Sequence, residues 1–184
     1  MRKHLLLTLG TMLTLIATAG LLRAVAGPTR PALPPAAAAD AEFLMNAAMT
    51  GAADIQISQL ALQKTTNERV KALAARIETG HQQASAELTA LARRSGTTVS
   101  AQVDPAHQAA RDRLERLSGT SFDRAYAQQM IADHEAAIAL FTTHAKTGVD
   151  AEVRAFAAQH LPALRAHLKQ SQDLLKGSGT RAQR

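Results

Sequence analysis

The chain contains no cysteine and no tryptophan, and its 184 residues include only one tyrosine and four phenylalanines. Without cysteine, it can form neither a disulfide framework nor a thiolate metal site, and it has no thiol nucleophile. It also has no glycine-framed serine elbow and no phosphate-binding glycine loop, so the common hydrolase and nucleotide-binding patterns are excluded. Histidine and carboxylate side chains are therefore the expected ligands of any metal site, because the methionines at helical spacing are better explained by core packing than by copper binding through their thioethers.

The first 26 residues have the layout of a secretory signal peptide. Basic residues occupy positions 2–4, an uncharged and largely apolar run covers positions 5–22, and Ala-Val-Ala follows at positions 24–26. A basic start, an apolar middle and a small-residue cleavage site are typical of export signals. We therefore predict export to the periplasm or cell envelope of a bacterium. The alternative is an uncleaved membrane anchor, because the apolar run approaches the length of about 20 residues that spans a bilayer.

The positive charge of the chain is smaller than its formal value indicates. The formal net charge is +6, from 21 Lys and Arg residues against 15 Asp and Glu residues. Arg2, Lys3 and Arg23 lie in the predicted signal peptide, and the remaining 18 basic residues exceed the acidic residues by only three. A nucleic-acid-binding domain normally carries a strong basic patch, stacking aromatics and a recognisable module. We therefore expect no nucleic-acid partner.

The rest of the chain divides into a linker, one domain and a tail. Residues 27–39 hold four of the six prolines, which predicts an extended, polyproline-like spacer. Residues 40–176 have the length of a single domain. Residues 177–184 are polar and basic, which predicts a disordered tail.

Apolar residues recur in the domain with the 3.6-residue period of amphipathic helices. Thr66-Asn67 supplies an N-cap for the second long helix, and Ser95-Gly96 ends it. So short a connection at Thr66-Asn67 forces the first two helices into an antiparallel hairpin. Pro105 begins a minor helix in the connection that follows. The predicted long helices cover residues 40–66, 67–95, 121–146 and 151–176, with the minor helix at residues 105–117.

The sequence contains two internal repeats. His81 and its apolar neighbours align with His134 and its neighbours at an offset of 53 residues, and residues 67–76 align with residues 150–159 at an offset of 83. Two similar helical hairpins joined by a connection of about 25 residues are the layout of ferritin-like proteins. We therefore predict an all-α fold, a ferritin-like four-helix bundle of two hairpins joined by a crossover with a short extra helix. The alternative is a plain up-and-down bundle, and the relative direction of the second and third long helices stays open.

Several strings of the domain resemble a family of exported bacterial proteins. They are Phe43-Leu-x-x-Ala-Ala-x-x-Gly51, Val70-Lys-Ala-Leu-Ala, Leu117-Ser-Gly-x-x-Phe-Asp-Arg-Ala-Tyr126, Met130-Ile-Ala-Asp-His134, Arg154-Ala-Phe-Ala and Leu161-Pro-x-Leu-x-x-His167. The family is catalogued as a domain of unknown function, and its members are often labelled outer-membrane or periplasmic proteins. The resemblance covers residues 41–176 and implies a ferritin-like helical bundle with no established activity. This sequence departs from the family's double Asp-His motif, because Gly80 stands where the first copy would carry Asp.

Five histidines project toward the predicted core. Imidazoles that converge in a helical bundle form the kind of site that binds zinc, copper or iron, and a nearby carboxylate can add an oxygen ligand. The alternative is that each is a core histidine, held by a neighbouring carboxylate or backbone carbonyl. His144 is one of the five, and the candidate metal ligands are His81, His134, Asp133, Glu78, His160 and His167.

A dinuclear iron centre of the ferritin type is less compatible with the sequence. Such a centre needs Glu-x-x-His from two helices and one inward Glu from each of the other two. Glu78 and His81 form one such pair, but the duplicated positions in the last helix are Leu161 and Leu164. Asp54 is an acid of the first helix, and we expect it to project away from the apolar stripe. A di-metal oxidase is therefore only the second alternative.

These observations favour a non-catalytic envelope protein that acts through binding or assembly with another envelope component. The first alternative is a metal-binding or metal-handling protein of ferritin-like fold that uses its core histidines. We expect no catalytic residues and no organic cofactor, and a homo-oligomer is compatible with the sequence. Membrane contact is expected only through an uncleaved signal or through a basic surface formed by arginines between positions 93 and 116.

Overall fold

The computed structural model describes residues 35–181, with side chains for residues 37–177, and this part is all-helical. The predicted signal peptide, residues 27–34 of the predicted linker and residues 182–184 of the predicted tail lie outside the described residues. No helix in the described part is both long enough and apolar enough to cross a membrane. The helices of this part are α1 (Pro35–Lys64), α2 (Glu68–Arg94), α3 (Pro105–Glu115), α4 (Gly119–Thr147) and α5 (Ala151–Arg181).

The ends of α2 and α3 follow the capping signals of the sequence. The Asn67 side chain accepts a hydrogen bond from the Arg69 amide at 3.1 Å and caps α2. Just beyond α2, Gly96 has a φ of 70°, a left-handed conformation that glycine adopts without strain. Asp104 caps α3 by accepting from two amides of the first turn, and Pro105 is its first residue. The predicted boundaries of these two helices are confirmed to within about two residues.

Two segments that we predicted to be non-helical belong to helices. α1 begins at Pro35, so residues 35–39 are helical and not an extended spacer. Proline suits the first helical position, where an N–H would have no partner, and the four alanines after it have the highest helix propensity. α5 continues through residues 177–181, where we predicted a disordered tail. Gly177 allows this end to approach α2, because a Cβ at Gly177 would lie 2.5 Å from Arg69 Nη1.

The relative directions of the helices follow from contacts at their ends. Just after α1, the Thr65 hydroxyl donates to Asp123, near the start of α4, at 2.6 Å. At the opposite end, Asp40 of α1 accepts from His144 in the last turn of α4 at 2.7 Å. α1 is therefore antiparallel to α4 as well as to α2, so α2 and α4 run parallel. This is the ferritin-like arrangement that we predicted, and it excludes the plain up-and-down bundle.

The four long helices enclose two apolar clusters. α1 and α5 each pack against both α2 and α4, and α3 covers α1 and α4. One cluster surrounds Phe43, Phe141 and Phe156 near one end of the bundle, and the other surrounds Ile57 and Tyr126 near the other end. On each long helix, a short stretch between these clusters belongs to neither. These stretches form a middle layer, and this layer carries the polar side chains described next.

Candidate metal centre

Three imidazoles from three helices meet in the middle layer. His81 comes from α2, His134 from α4 and His167 from α5, and one nitrogen of each lies within 4.8 Å of one nitrogen of the other two. The ring centroids are 5.2 to 5.8 Å apart. Because α2 and α4 run parallel, the two copies of the repeated histidine motif lie at one level of the bundle. We call these three residues the three-histidine cluster.

The hydrogen bonds of His134 determine which of its nitrogens can bind an ion. Its Nδ1 lies 2.8 Å from the carbonyl oxygen of Met130. Since a carbonyl oxygen can only accept, Nδ1 carries the proton and the lone pair of the ring lies on Nε2. This Nε2 lies 3.2 Å from His167 Nδ1, so the His167 Nδ1–H donates to it. The backbone of α4 thus holds the fully buried His134 in a tautomer with one lone pair available to a metal.

His81 and Asp54 are a buried polar pair without hydrogen bonds. His81 Nε2 lies 3.4 Å from Asp54 Oδ2, and neither this nitrogen nor either Asp54 oxygen has a hydrogen-bond partner among the described residues. Leaving a buried polar group unpaired costs about 1–3 kcal/mol. In a native protein, such a group calls for a specific explanation, and a functional role is one of the few.

The burial of Asp54 corrects our prediction that it projects away from the apolar stripe. Its side chain is fully buried. The prediction was wrong because α1 carries alanines on all its faces, so its apolar pattern does not define the inward side. One signal was present: Gly51 and Asp54 are three residues apart on α1 and both face the His81 ring. A Cβ at Gly51 would lie in van der Waals contact with His81 Nδ1, at 3.6 Å, which places this position of α1 directly against the ring.

All three imidazoles are held in the neutral form. Burial, followed by the charges of His134 and His167, lowers the pKa of His81 to about 3. Burial and then His167 lower the pKa of His134 to about 4. Burial and then the Arg76 guanidinium lower the pKa of His167 to about 4. Neutral imidazole is the form that binds transition metals, so protons do not compete for the cluster near neutral pH.

The two buried carboxyl groups beside the cluster differ in their partners. Burial and then the charge of Asp133 raise the pKa of Asp54 well above its usual value. Burial also raises the pKa of Asp133, and hydrogen bonds oppose this in part. Gln129 donates to both oxygens of Asp133 at 2.9 and 3.0 Å, and His107 Nε2 lies 3.5 Å from one of them. Asp133 is therefore held by a crossover histidine and an amide, whereas Asp54 faces the Asp133 carboxyl group and the His81 ring without a hydrogen bond of ordinary geometry.

The structure brings together three of the six predicted metal ligands and places the others elsewhere. Besides Asp133, Glu78 lies outside the cluster and accepts hydrogen bonds from Gln59 at 2.9 Å and Gln82 at 3.1 Å. His160 also lies outside it, with Nε2 at 3.1 Å from Glu87 Oε2. The helical pattern placed His160 and Glu78 among the candidate ligands, but in the structure both are paired with side chains outside the cluster.

A cavity leads from the surface to the cluster. Its volume is about 660 Å³, and His81 and His167 form part of its wall. His134 is fully buried and does not contribute to the wall. Gly80 leaves the His167 ring exposed to the cavity, because a Cβ at this position would lie against the ring, 3.4 Å from Cε1. The cluster therefore has a path by which an ion can enter.

Comparison with known proteins places this arrangement in a family and a fold. The family described as Domain of unknown function (DUF4142) matches residues 26–174, and no curated protein matches. The crystal structure of a DUF305 fragment from Deinococcus radiodurans is similar with a TM-score of 0.69 and 19% identity, over 79% of this chain and 99% of that one. The structure of CopM in the Cu(I)-bound form is similar with a TM-score of 0.65 and 20% identity, over 75% and 96% of the two chains. At these identities, the similarity shows a shared fold.

Proposed function

The chain belongs to the DUF4142 family of domains of unknown function, and from this premise we propose that it binds one transition-metal ion, with copper(I) preferred, through His81, His134 and His167. The observation that carries the proposal is the convergence of three neutral imidazoles from three helices, with nitrogens within 4.8 Å of one another. Two nitrogens bonded to one ion at 2.0–2.1 Å lie at most about 4.2 Å apart. Small ring movements are therefore enough to close the cluster around an ion.

The neutral ligand set favours copper(I) over divalent ions. The free-energy cost of burying an ion rises steeply with its charge, so a monovalent ion is the easiest to accommodate in a layer of neutral ligands. Imidazole is a good ligand for copper, and carboxylate oxygens, which harder ions prefer, are absent from the ligand group found among the described residues. The similar fold of a protein solved as CopM in the Cu(I)-bound form supports the same choice.

Asp54 completes the proposed site without touching the ion. Histidines that bind a metal usually donate their other N–H to a carboxylate or a carbonyl, which orients the ring and strengthens its donor nitrogen. His134 already has such a partner in the Met130 carbonyl. We assign the same role toward His81 to Asp54: Nδ1 binds the ion, and Nε2–H donates to Asp54. Burial raises the pKa of Asp54 in the metal-free protein, so in this assignment Asp54 releases its proton when the ion binds, and its carboxylate then balances the positive charge. This assignment supplies the partner that Asp54 and His81 Nε2 lack.

Metal binding is compatible with the non-catalytic binding or assembly role that the sequence favours. A bundle that stores, buffers or delivers copper needs no catalytic group, and we assign no reaction to the chain. A protein that delivers copper to or from another envelope component would satisfy both the metal-binding hypothesis and the binding or assembly hypothesis. Export to the periplasm stays a prediction that rests on the first 26 residues. A di-metal oxidase is not proposed, because the metal-ligand group among the described residues contains histidines alone.

Copper(I) titration of the purified protein against a colorimetric copper(I) chelator tests the proposal. We expect one equivalent of copper(I) to be held by the wild type, and the same sample to gain thermal stability by mass action. His81→Gln and His134→Gln should each weaken binding by at least about 100-fold, because losing a ligand costs more than the roughly 10- to 100-fold that follows from losing an outer partner of a ligand. The matched control is His160→Gln, because His160 also lines the cavity but lies outside the cluster. Its copper affinity should equal that of the wild type.

Two outcomes would contradict the proposal. The first is a wild type that holds no copper(I) and shows no thermal shift with it. The second is binding that His81→Gln and His160→Gln weaken equally, since the ion would then be held somewhere else. Zinc and iron are titrated in parallel, and tighter binding of either one would keep the three-histidine site but replace copper as its ion.

A further inference from the structure

The cavity beside the three-histidine cluster has the size and lining of a small-molecule site. Its volume of about 660 Å³ lies within the range of roughly 300–1,000 Å³ that is typical of such sites. Helices α1, α2, α4 and α5 all contribute to its wall. The wall is largely apolar, and among the described residues that line it Arg76 is the only Lys, Arg, Asp or Glu. An uncharged ligand with an apolar body therefore fits this space better than a charged one.

Two imidazoles of the cluster form the polar end of this cavity. His81 and His167 lie in its wall. The His81 side chain is 11% exposed, and its Nε2 is buried without a hydrogen-bond partner among the described residues. Glycines at positions 51 and 80 leave both rings uncovered, because a Cβ at Gly51 would lie 3.6 Å from His81 Nδ1 and a Cβ at Gly80 would lie 3.8 Å from His167 Nε2. Three protein ligands on an ion leave a fourth position free. Because two of the three rings line the cavity, a fourth ligand would reach the ion from that side.

The far end of the cavity is aromatic. Phe141 and Phe156 line it, with ring centroids 6.0 Å apart. His160 lies against Phe156 with a centroid distance of 4.4 Å. Aromatic rings of this kind pack well against a planar ligand body. The cavity thus has the proposed metal ligands His81 and His167 at one end and an apolar space lined by aromatic rings at the other.

We propose that this cavity binds an uncharged, planar heteroaromatic ligand whose ring nitrogen occupies the fourth coordination position of the bound ion. The inference rests on the three-histidine site proposed above. The nitrogen lone pair forms a dative bond to the ion, so no electron or proton is transferred and copper stays in its +1 state. The body of the ligand lies among Ala84, Phe141 and Phe156, and Asp54 already balances the charge of the ion, so the ligand needs none.

Carbon monoxide and 4-phenylimidazole test this arrangement on the copper(I)-loaded protein. Carbon monoxide should give the infrared band of a copper(I) carbonyl, since it occupies an open position. 4-Phenylimidazole should displace it at a concentration at least about tenfold lower than imidazole does, because its phenyl ring removes additional apolar surface from water. Ala84→Phe and Ala163→Phe fill the cavity from α2 and α5 and should reduce this preference to less than about twofold.

The control is Ala136→Phe, the same substitution at an exposed position of α4 that does not line the cavity; it should keep the full preference. Copper content and thermal midpoint are measured for every variant, so that loss of folding or of metal is seen separately. The proposal is overturned if copper is held but gives no carbonyl band, if the two imidazoles displace carbon monoxide equally, or if Ala136→Phe acts like Ala84→Phe. A wild type that holds no copper contradicts the three-histidine site itself, which the copper content reveals before any ligand is added.

Discussion

Two buried histidine sites in this bundle differ in whether their polar atoms are paired. At one end, which we call the end site, His144 Nε2 donates to Asp40 at 2.7 Å and its ring stacks on Phe43 at a centroid distance of 4.1 Å. Asp40 also accepts from the amides of Val149 at 3.1 Å and Asp150 at 2.7 Å. In the three-histidine cluster, by contrast, the carboxyl group beside the rings has no hydrogen bond.

The comparison separates a structural histidine from a candidate ligand. Both sites combine histidine with a buried aspartate, so residue type and burial do not distinguish them. The end site joins α1, α4 and the turn before α5, and every partner is a protein group. In the cluster, His81 and Asp54 cannot complete their hydrogen bonds with protein groups in this arrangement. Only the second site therefore points to a ligand.

Acid should produce the largest difference between the two sites. The pKa values of the cluster histidines are lowered to about 3 and 4, below the value of about 6.5 in an unfolded chain. The unfolded chain therefore binds more protons as the pH falls below about 6.5. Stability of the metal-free protein should decrease from there toward pH 4, by up to about 1.4 kcal/mol per pH unit for each histidine. Urea unfolding in chelator at several pH values measures this slope, and His134→Gln should reduce it by about a third.

Asp40→Asn is the control for the acid experiment. Burial alone would raise the pKa of Asp40, but hydrogen bonds from Asp150, Val149 and His144 outweigh it and leave this pKa below its usual value. Its stabilisation is therefore present above the unfolded pKa of about 3.9 and is lost only as the pH falls through the lower folded value. The slope between pH 6.5 and 5 should be unchanged in Asp40→Asn. An equal slope in wild type and His134→Gln would show that the cluster is not buried in its neutral form.

Removing the carboxylate of the end site should destabilise the fold without affecting metal. Asp40→Ala leaves His144 and the amides of Val149 and Asp150 without their acceptor. Breaking a buried, hydrogen-bonded pair in this way costs about 3 kcal/mol or more. Urea unfolding at pH 7 measures the loss, and copper(I) titration of the same folded variant should give the wild-type affinity. A loss of copper affinity as large as that of His134→Gln would erase the distinction between the two sites.

Replacing the Asp54 carboxyl group should have the opposite effect to Asp40→Ala: copper affinity should fall, and stability should change little. Asp54→Asn should lower copper(I) affinity by about 10- to 100-fold, the usual effect of losing an outer carboxylate that orients a ligand histidine. Stability without metal should change less than in Asp40→Ala, because Asp54 makes no hydrogen bond that can be lost. Glu78→Gln is the matched control, since Glu78 is an acid of α2 outside the cluster, and it should bind copper like the wild type. Equal affinities for Asp54→Asn and the wild type would remove Asp54 from the site.

The helices and their order were predictable from local signals. The caps at Asn67 and Asp104 and the break at Gly96 act within a few residues, so they are visible in the sequence. We predicted that α1 begins too late and that α5 ends too early. The prolines before α1 and the glycines near the end of α5 were interpreted as helix breaks at positions where a helix tolerates them. The ferritin-like topology was also predictable, because a crossover of about 25 residues is long enough to return the chain to the other end of the bundle.

The site was predictable only in part, and His160 and Asp54 show why. His160 follows the same inward pattern as His167, but it lies at another level of α5 and pairs with Glu87. A periodic pattern shows which face of a helix a residue occupies. It does not show which residues of the neighbouring helices lie at the same level of the bundle. The prediction for Asp54 failed for a different reason: the alanines around α1 left the inward face of this helix undefined.

The helices and the duplicated hairpins are predictable from the sequence, because they follow from local propensity and internal repeats. The shared level of His81 and His134 depends on α2 and α4 running parallel, which the sequence left open and the contacts at the helix ends decided. Tertiary structure alone decided that His167 joins them, that Asp54 turns inward and that His144 is paired at the far end. The physical reason is that hydrogen-bond satisfaction is a property of atoms brought together from different helices. A histidine paired by Asp40 and one left beside an unpaired Asp54 look alike in the sequence and differ only once the bundle is packed.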